Sequence, residues 1–246
     1  HELVAEGAPH RVLDGVLQGE SGPRAALEIC AFFEEHGRDD LAGEVIATAQ
    51  ARFPEVLALR LHDARRHLLD GDATGAEAIL RTARGLARGS ALVDVWLADA
   101  LLAQDGRRAE AESVLRRVAA DPGADPVAAL RLADLLLDGV GDGAPDRASV
   151  AESAHILDDA ARRIVPGSPL ENYAAYVEGK LLLVRRDARG SVERLGRVVA
   201  RNPEDAFAHV LLARAHEALG DDDLAVLALS DALRAGGRTA ALLARR

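Results

Sequence analysis

Small and apolar residues recur along this chain with a period close to 34 residues. The segments LADALLAQDG (97–106) and LADLLLDGVG (132–141) share their first three residues and their apolar pattern, and they lie 35 residues apart. A period of this length indicates a repeat protein, in which each repeat is one supersecondary unit. The small residue in the middle of this LAD motif recurs at six positions, separated by 34, 34, 35, 46 and 34 residues: Cys30, Ala64, Ala98, Ala133, Gly179 and Ala213.

A second set of small and aliphatic residues follows each of these positions. In five units a small residue comes 12 or 13 residues later, an aliphatic residue follows four positions further on, and a small or aliphatic residue three beyond that. In the first unit these are Ala42, Ile46 and Ala49. Because positions i, i+4 and i+7 lie on one face of a helix, each unit is predicted to be helix, short turn, helix. The small residues are needed where the two helices cross at closest approach.

Prolines close three of the units, at Pro54, Pro122 and Pro203. With them, the pattern resembles the tetratricopeptide repeat (TPR) family over nearly the whole chain. The family's bulky pair in the first helix is mostly degenerate here, and Trp96 falls two places late. The sets that match most completely are Cys30, Ala42, Ile46, Ala49 and Pro54, and Ala213, Ala225, Leu229 and Ala232.

The resemblance implies an all-α fold, a right-handed α-solenoid of about six helix-turn-helix repeats of about 34 residues, in a divergent protein of bacterial type. Residues 1–22 are expected to form an N-terminal helical remnant or cap, and residues 240–246 a C-terminal cap or the start of a further helix. Both ends look cut, and the chain contains no methionine, so we expect a fragment of a longer protein. The repeats are expected near 23–56, 57–90, 91–125, 126–171, 172–205 and 206–239, within one solenoid over 23–239.

The segment DGVGDGAPD (138–146) interrupts the fourth unit, where the two small residues are 20 positions apart. Insertions in repeat proteins map to loops on one face, so an enlarged helix–helix turn is the favoured interpretation. The next helix is predicted to restart with a capping box at Ser149 and Glu152. A calcium loop is the alternative, but it would need acidic residues at alternate positions and a glutamate at the twelfth, whereas Asp138, Asp142 and Asp146 are four apart.

Composition and charge narrow the class of protein. The 246 residues are 49% hydrophobic and only 3% aromatic, which favours helices over sheets. The net charge is −10 without any Lys/Arg block, which argues against nucleic acid and against a membrane surface as partners. The apolar runs are too short for membrane insertion. An acidic chain with one unpaired cysteine suits the cytoplasm, although a removed targeting segment would leave the same remnant.

Candidate catalytic and metal-binding residues are few. His209 and His216 share a helix face, as metal ligands would, but in the repeat register they fall at packing positions, and packing is the favoured interpretation. Cys30 occupies the buried small-residue position, where it is expected to behave as a small hydrophobe. The sequence contains no His-Glu-x-x-His motif, cysteine pair, phosphate loop or nucleophile elbow, so neither a metal nor a cofactor is predicted.

The groove is the remaining candidate site. The resemblance implies a concave wall lined by a few positions of each first helix. Tyr173 and Phe207 would supply aromatic surface for a peptide or helix, flanked by charges that fix its register; alternatively they pack between repeats. The family's chaperone-tail clamps carry an asparagine that no first helix has here, which argues against a co-chaperone. The candidate partner-binding residues are Arg65, Asp99, Asp134, Tyr173, Tyr176, Lys180, Phe207 and Arg214.

Three hypotheses of function follow. The leading one is a non-enzymatic scaffold that binds a protein or peptide in the groove. The second is a regulatory or substrate-recruiting module of a larger enzyme or signalling protein. The third is self-assembly into a homo-oligomer, with a terminal repeat docking onto another copy. A stand-alone enzyme is the weakest hypothesis, because no set of nucleophile, base and orienting group can be assembled from these spacings.

Overall fold

Helices form most of the described backbone. The computed structural model describes residues 21–87, 89–138 and 144–243, and these ranges contain twelve α-helices and no strand. Ala, Leu and Arg, which dominate the sequence, are among the strongest helix formers. Gly and Pro punctuate the chain between the helices. The predicted all-α solenoid is confirmed.

Most successive helices within each unit pack on each other, and most of the connections are short. Those of the N-terminal half are α1 (Gly22–Glu35), α2 (Asp39–Arg52), α3 (Leu57–Leu69), α4 (Ala73–Leu86), α5 (Ala91–Leu102) and α6 (Arg108–Ala119). Those of the C-terminal half are α7 (Val127–Leu136), α8 (Arg147–Arg163), α9 (Pro169–Val184), α10 (Ala188–Arg201), α11 (Ala206–Leu219) and α12 (Asp222–Leu243).

The chain divides into two compact units between Val114 and Leu115. In the first unit, α1 and α2 pack on each other and on the start of α3 through a small apolar core. The core includes the four residues of this unit whose spacing predicted the repeat, Cys30, Ala42, Ile46 and Ala49, because helix faces with period i, i+4, i+7 can be buried together. The fully or nearly fully buried members are Ala26, Cys30, Ala42, Val45, Ile46, Ala49 and Leu59.

The second unit has a core of its own between α7, α8 and α9. Leucines and alanines from the facing sides of these helices are buried, and Tyr173 and Tyr176 pack at its edge. The buried members are Ala129, Leu130, Ala133, Leu137, Leu157, Ala160, Val177 and Leu181. The candidate site lies beside this core.

The small residues meet where the sequence pattern requires them. The Cys30 thiol donates to the carbonyl of Ala42 at 3.4 Å, so the two small positions of the first pair are in contact. In the fifth pair, the Ser191 hydroxyl donates to the carbonyl of Gly179 at 2.9 Å. These contacts are possible only because neither position carries a larger side chain, which lets the backbones of paired helices approach closely.

The N-terminal ends of α8 and α9 are each marked by an N-cap residue. The prediction that this helix starts at a capping box at Ser149 is wrong. Helix α8 begins at Arg147, and its N-cap residue is Asp146, whose side chain accepts a hydrogen bond from the Ser149 amide at 2.8 Å. Aspartate is as good an N-cap as serine, and it lies three residues earlier. Helix α9 begins at Pro169, and Ser168 is its N-cap residue.

Parts of three predictions lie outside the described residues. They concern the N-terminal remnant as far as residue 20, the middle of the inserted segment (139–143, with Asp142) and the last residues of the C-terminal cap, 244–246. The division into six repeats at the boundaries given above stays a prediction.

Candidate functional site

Six of the eight predicted groove residues lie in the second unit, on the first helix of each of three successive pairs. They are Asp134 on α7, Tyr173, Tyr176 and Lys180 on α9, and Phe207 and Arg214 on α11. The other two lie in the first unit. Arg65 is an exposed residue of α3 and Asp99 a half-buried residue of α5.

Lys180 forms the charged centre of the second unit. Its Nζ atom lies 2.5 Å from Asp134 Oδ1 and 2.5 Å from Asp138 Oδ1, and it also donates to the Asp134 carbonyl at 3.1 Å. Lys180 and Asp134 are both buried, and Arg131 Nη1 donates to the second oxygen of Asp134 at 3.0 Å. A buried charge is tolerated only when it is paired and hydrogen-bonded, as it is here.

The two tyrosines stand beside this ionic cluster. The Tyr173 hydroxyl donates to Asp134 Oδ2 at 3.4 Å, and the rings of Tyr173 and Tyr176 are stacked with their centroids 6.0 Å apart. Burial, and then the negative charges of Asp134 and Asp138, raise the pKa of Tyr176 well above its usual range. The Tyr176 hydroxyl therefore stays protonated throughout the physiological pH range.

A cavity of about 690 Å³ opens next to Lys180. Helix α9 contributes Lys180, Leu183 and Val184, and α11 contributes Leu211, Arg214, Glu217 and Ala218. Leu137, Asp138, Ala144 and Pro145, which flank the inserted segment, complete the lining. Apolar walls with a few charged groups are typical of sites that bury a side chain or a short peptide.

The charges in this cavity are not equivalent. Lys180 is buried under two carboxylates, whereas Arg214 and Glu217 are exposed on α11. Phe207, one of the predicted aromatic anchors, is exposed on the same helix. Asp138 and Glu217, which also line the cavity, are not among the candidate partner-binding residues chosen from the sequence. Glu217 lies three residues after Arg214, about one helical turn along the same face.

The remaining candidates have structural partners. His209 is buried and its Nε2 lies 3.0 Å from the carbonyl oxygen of Pro203, while His216 Nδ1 lies 3.7 Å from Asp221 Oδ2. Burial, followed by the charge of Glu34, raises the pKa of the Cys30 thiol to about 11. A thiol with a raised pKa is a poor nucleophile, so Cys30 is a packing residue.

The described ranges contain neither a metal-binding group nor a membrane-spanning helix. No three His, Cys, Asp or Glu side chains there are grouped as a metal ion would require. No helix in the same ranges is both long and apolar enough to cross a membrane.

Comparison with known proteins gives a fold. No family model matches the sequence, and no curated protein does. Among solved structures, a chain of the APC/C hetero-tetramer Cut9–Hcn1 superposes with a TM-score of 0.68 at 13% identity, over 93% of this chain and 43% of that one. The chain has the tetratricopeptide-repeat fold. It spans less than half the length of that Cut9–Hcn1 chain.

Two further matches are to shorter proteins. The nearly identical TPR-like repeats of a putative kinesin light chain from Podosopora anserina give a TM-score of 0.49 at 19% identity, over 76% of this chain and 97% of that one. MamA from Desulfovibrio magneticus RS-1 gives 0.46 at 16% identity, over 74% and 96%. The predicted resemblance to the TPR family is confirmed at the level of the fold.

In the repeat register, Asp134, Lys180 and Arg214 occupy the same position of three successive first helices.

Proposed function

We propose that this TPR protein is a non-enzymatic scaffold that binds a protein or peptide segment in the cavity beside Lys180. The observation that carries the proposal is the cavity itself, which is large enough for a side chain and lined by both apolar and charged residues. Apolar surface supplies binding energy, and charges at its edge select and orient the partner.

The charged residues of the cavity differ in burial and pairing, and this difference supports the proposed role. Lys180 and Arg131 together balance the charges of Asp134 and Asp138, so this cluster holds α7 and α9 together and leaves little net charge for a ligand. Arg214 and Glu217 are exposed at the edge and are the groups that a bound segment would meet first. The partner should therefore carry apolar side chains between charges of both signs.

A peptide selection tests the proposal. Peptides selected from a random library on the intact chain would be measured against Arg214→Glu by fluorescence polarisation. We expect the variant to weaken binding by roughly tenfold or more. A tenfold loss corresponds to about 1.4 kcal/mol, and placing like charges together at an interface costs up to several kcal/mol.

The matched control is Arg189→Glu, which makes the same charge change at an exposed residue of α10 outside the cavity lining. It should bind the selected peptides like the wild type. Peptides that bind Arg214→Glu and the wild type equally well would show that the cavity is not the binding site. A selection that yields no binding peptide, at concentrations where the chain is folded, would also count against it.

A further inference from the structure

Helix α12 exposes apolar side chains on a face whose central position is buried in each of the earlier second helices. Leu229 follows its small residue by four positions and is 39% exposed. Val226 and Leu233, which lie on the same side of the helix at i−3 and i+4, are 63% and 66% exposed. We call these three residues the α12 face. The residues equivalent to Leu229 are at most 8% exposed: Ile46, Leu80, Leu115, Leu157 and Leu195.

The first unit shows what covers this face within the chain. Gly43 follows the small residue Ala42 as Val226 follows Ala225. A Cβ atom at Gly43 would lie 3.1 Å from both terminal nitrogens of Arg66, which is on α3. The position of Val226 is therefore one that the first helix of the next pair covers.

A second contact covers the far end of the same face. Gln50, which is equivalent to Leu233, donates to Asp63 Oδ2 on α3 at 3.0 Å. The next first helix thus reaches both ends of the face. On α12, Val226 stands in place of the glycine and Leu233 in place of the glutamine, so these positions need an apolar partner.

Helix α1 presents such a partner. Phe32 is the residue of α1 equivalent to Arg66, and it is 54% exposed. Its ring is a large apolar surface at a position where the later first helices bury their side chains. Four such residues are at most 5% exposed: Ala100, Leu135, Leu181 and Ala215.

We propose that the α12 face of one copy docks onto α1 of a second copy, in the way each first helix docks onto the pair before it. By this register Phe32 lies over Val226, and Ile29, the half-buried equivalent of Asp63, lies over Leu233. Both pairs are apolar, so the two surfaces complement each other. The interface is heterologous, because it joins two different faces of the same protein.

Mixing two variants tests this geometry. Phe32→Glu removes the α1 surface and Val226→Glu removes the α12 face, each at an exposed position. By analytical ultracentrifugation, the wild type should gain mass with concentration. Each variant alone should associate at least about tenfold more weakly, since a charge in a desolvated apolar contact costs more than about 1.4 kcal/mol.

The mixture is the decisive sample. Each variant keeps the surface that the other has lost, so a one-to-one mixture should form a heterodimer and stop there. Val165→Glu, which alters an equally exposed apolar residue between α8 and α9, is the control and should assemble like the wild type. Circular dichroism should show unchanged helix content in every variant.

Three results would overturn the proposal. A wild-type chain that stays monomeric at every concentration would show that no second copy covers the α12 face. Dimers that survive in Phe32→Glu but not in Val226→Glu would mean that two α12 faces pair with each other. Assembly that persists in both variants would place the contact elsewhere.

Discussion

Replacing Gly179 by alanine would test the close crossing of α9 and α10. A Cβ atom at Gly179 would lie 2.6 Å from Leu195 Cγ and 2.8 Å from Leu195 Cδ2. Carbon atoms in contact are roughly 3.5–4.0 Å apart. The added methyl group therefore overlaps a fully buried side chain, which can move only by disturbing the core around it.

Two opposing terms set the size of the effect. Overpacking a well-filled core costs roughly 1–3 kcal/mol, whereas replacing a glycine within a helix by alanine gains up to about 1 kcal/mol. We expect Gly179→Ala to lower the free energy of unfolding by about 1–2 kcal/mol. Gly196 is the matched control, because it lies in α10 with no atom within 4 Å of its Cβ position. Gly196→Ala should raise the free energy of unfolding by about 0.5–1 kcal/mol.

Urea denaturation followed by far-ultraviolet circular dichroism would measure both variants. A double variant with Leu195→Ala should remove the overlap, so adding Gly179→Ala to that background should cost nothing or even stabilise. If Gly179→Ala were as stabilising as Gly196→Ala in the wild-type background, the two helices would not approach as closely as described and the reasoning would fail.

Three more predictions use the same measurement. The pKa of Cys30 in the folded chain is about 11, above its ordinary value of 9.0. As the pH rises, the thiol therefore loses its proton in the unfolded chain before it does so in the folded chain. Stability should therefore fall between about pH 9 and pH 11, by at most roughly 1.4 kcal/mol per pH unit, and Cys30→Ala should flatten that fall. Lys180→Met should cost about 2–4 kcal/mol because it leaves the buried Asp134 without its lysine, and adding Asp134→Asn should recover part of the loss. Arg186 has a φ of +63°, in the left-handed region. Arg186→Gly should stabilise by up to about 1 kcal/mol, or leave stability unchanged if the gain in the unfolded chain's entropy offsets it.

The fold could be predicted because the same local requirement recurs in every helix pair. A small residue is needed wherever paired helices cross, and the contacts of Cys30 with Ala42 and of Ser191 with Gly179 show that the sequence pattern marks those crossings. The spacing of small residues therefore indicates where paired helices contact each other. The exact helix starts were less predictable, because Asp146 and Ser149 are both good N-caps and the choice between them depends on the connection that precedes α8.

The candidate site could be predicted only in part. The register placed Asp134, Lys180 and Arg214 at one position of successive first helices, but it could not show which of them pair. Lys180 and Asp134 are 46 residues apart, and their contact depends on the distance between α7 and α9. The contribution of Asp138 depends on the connection that follows α7, whose path no periodic pattern specifies.

The pairing of Lys180 changes how the site should be probed. Reversing its charge would place a third carboxylate against Asp134 and Asp138 in a buried position, and like charges there would disrupt the packing of α7 on α9 before any ligand was tested. Lost binding in such a variant would report lost structure. Arg214 stands at the same repeat position one helix pair later, yet it is exposed, so its charge can be reversed while the core stays intact. If the cavity binds a charged segment, the energy of recognition should therefore depend on Arg214 and Glu217, and stability should depend on Lys180.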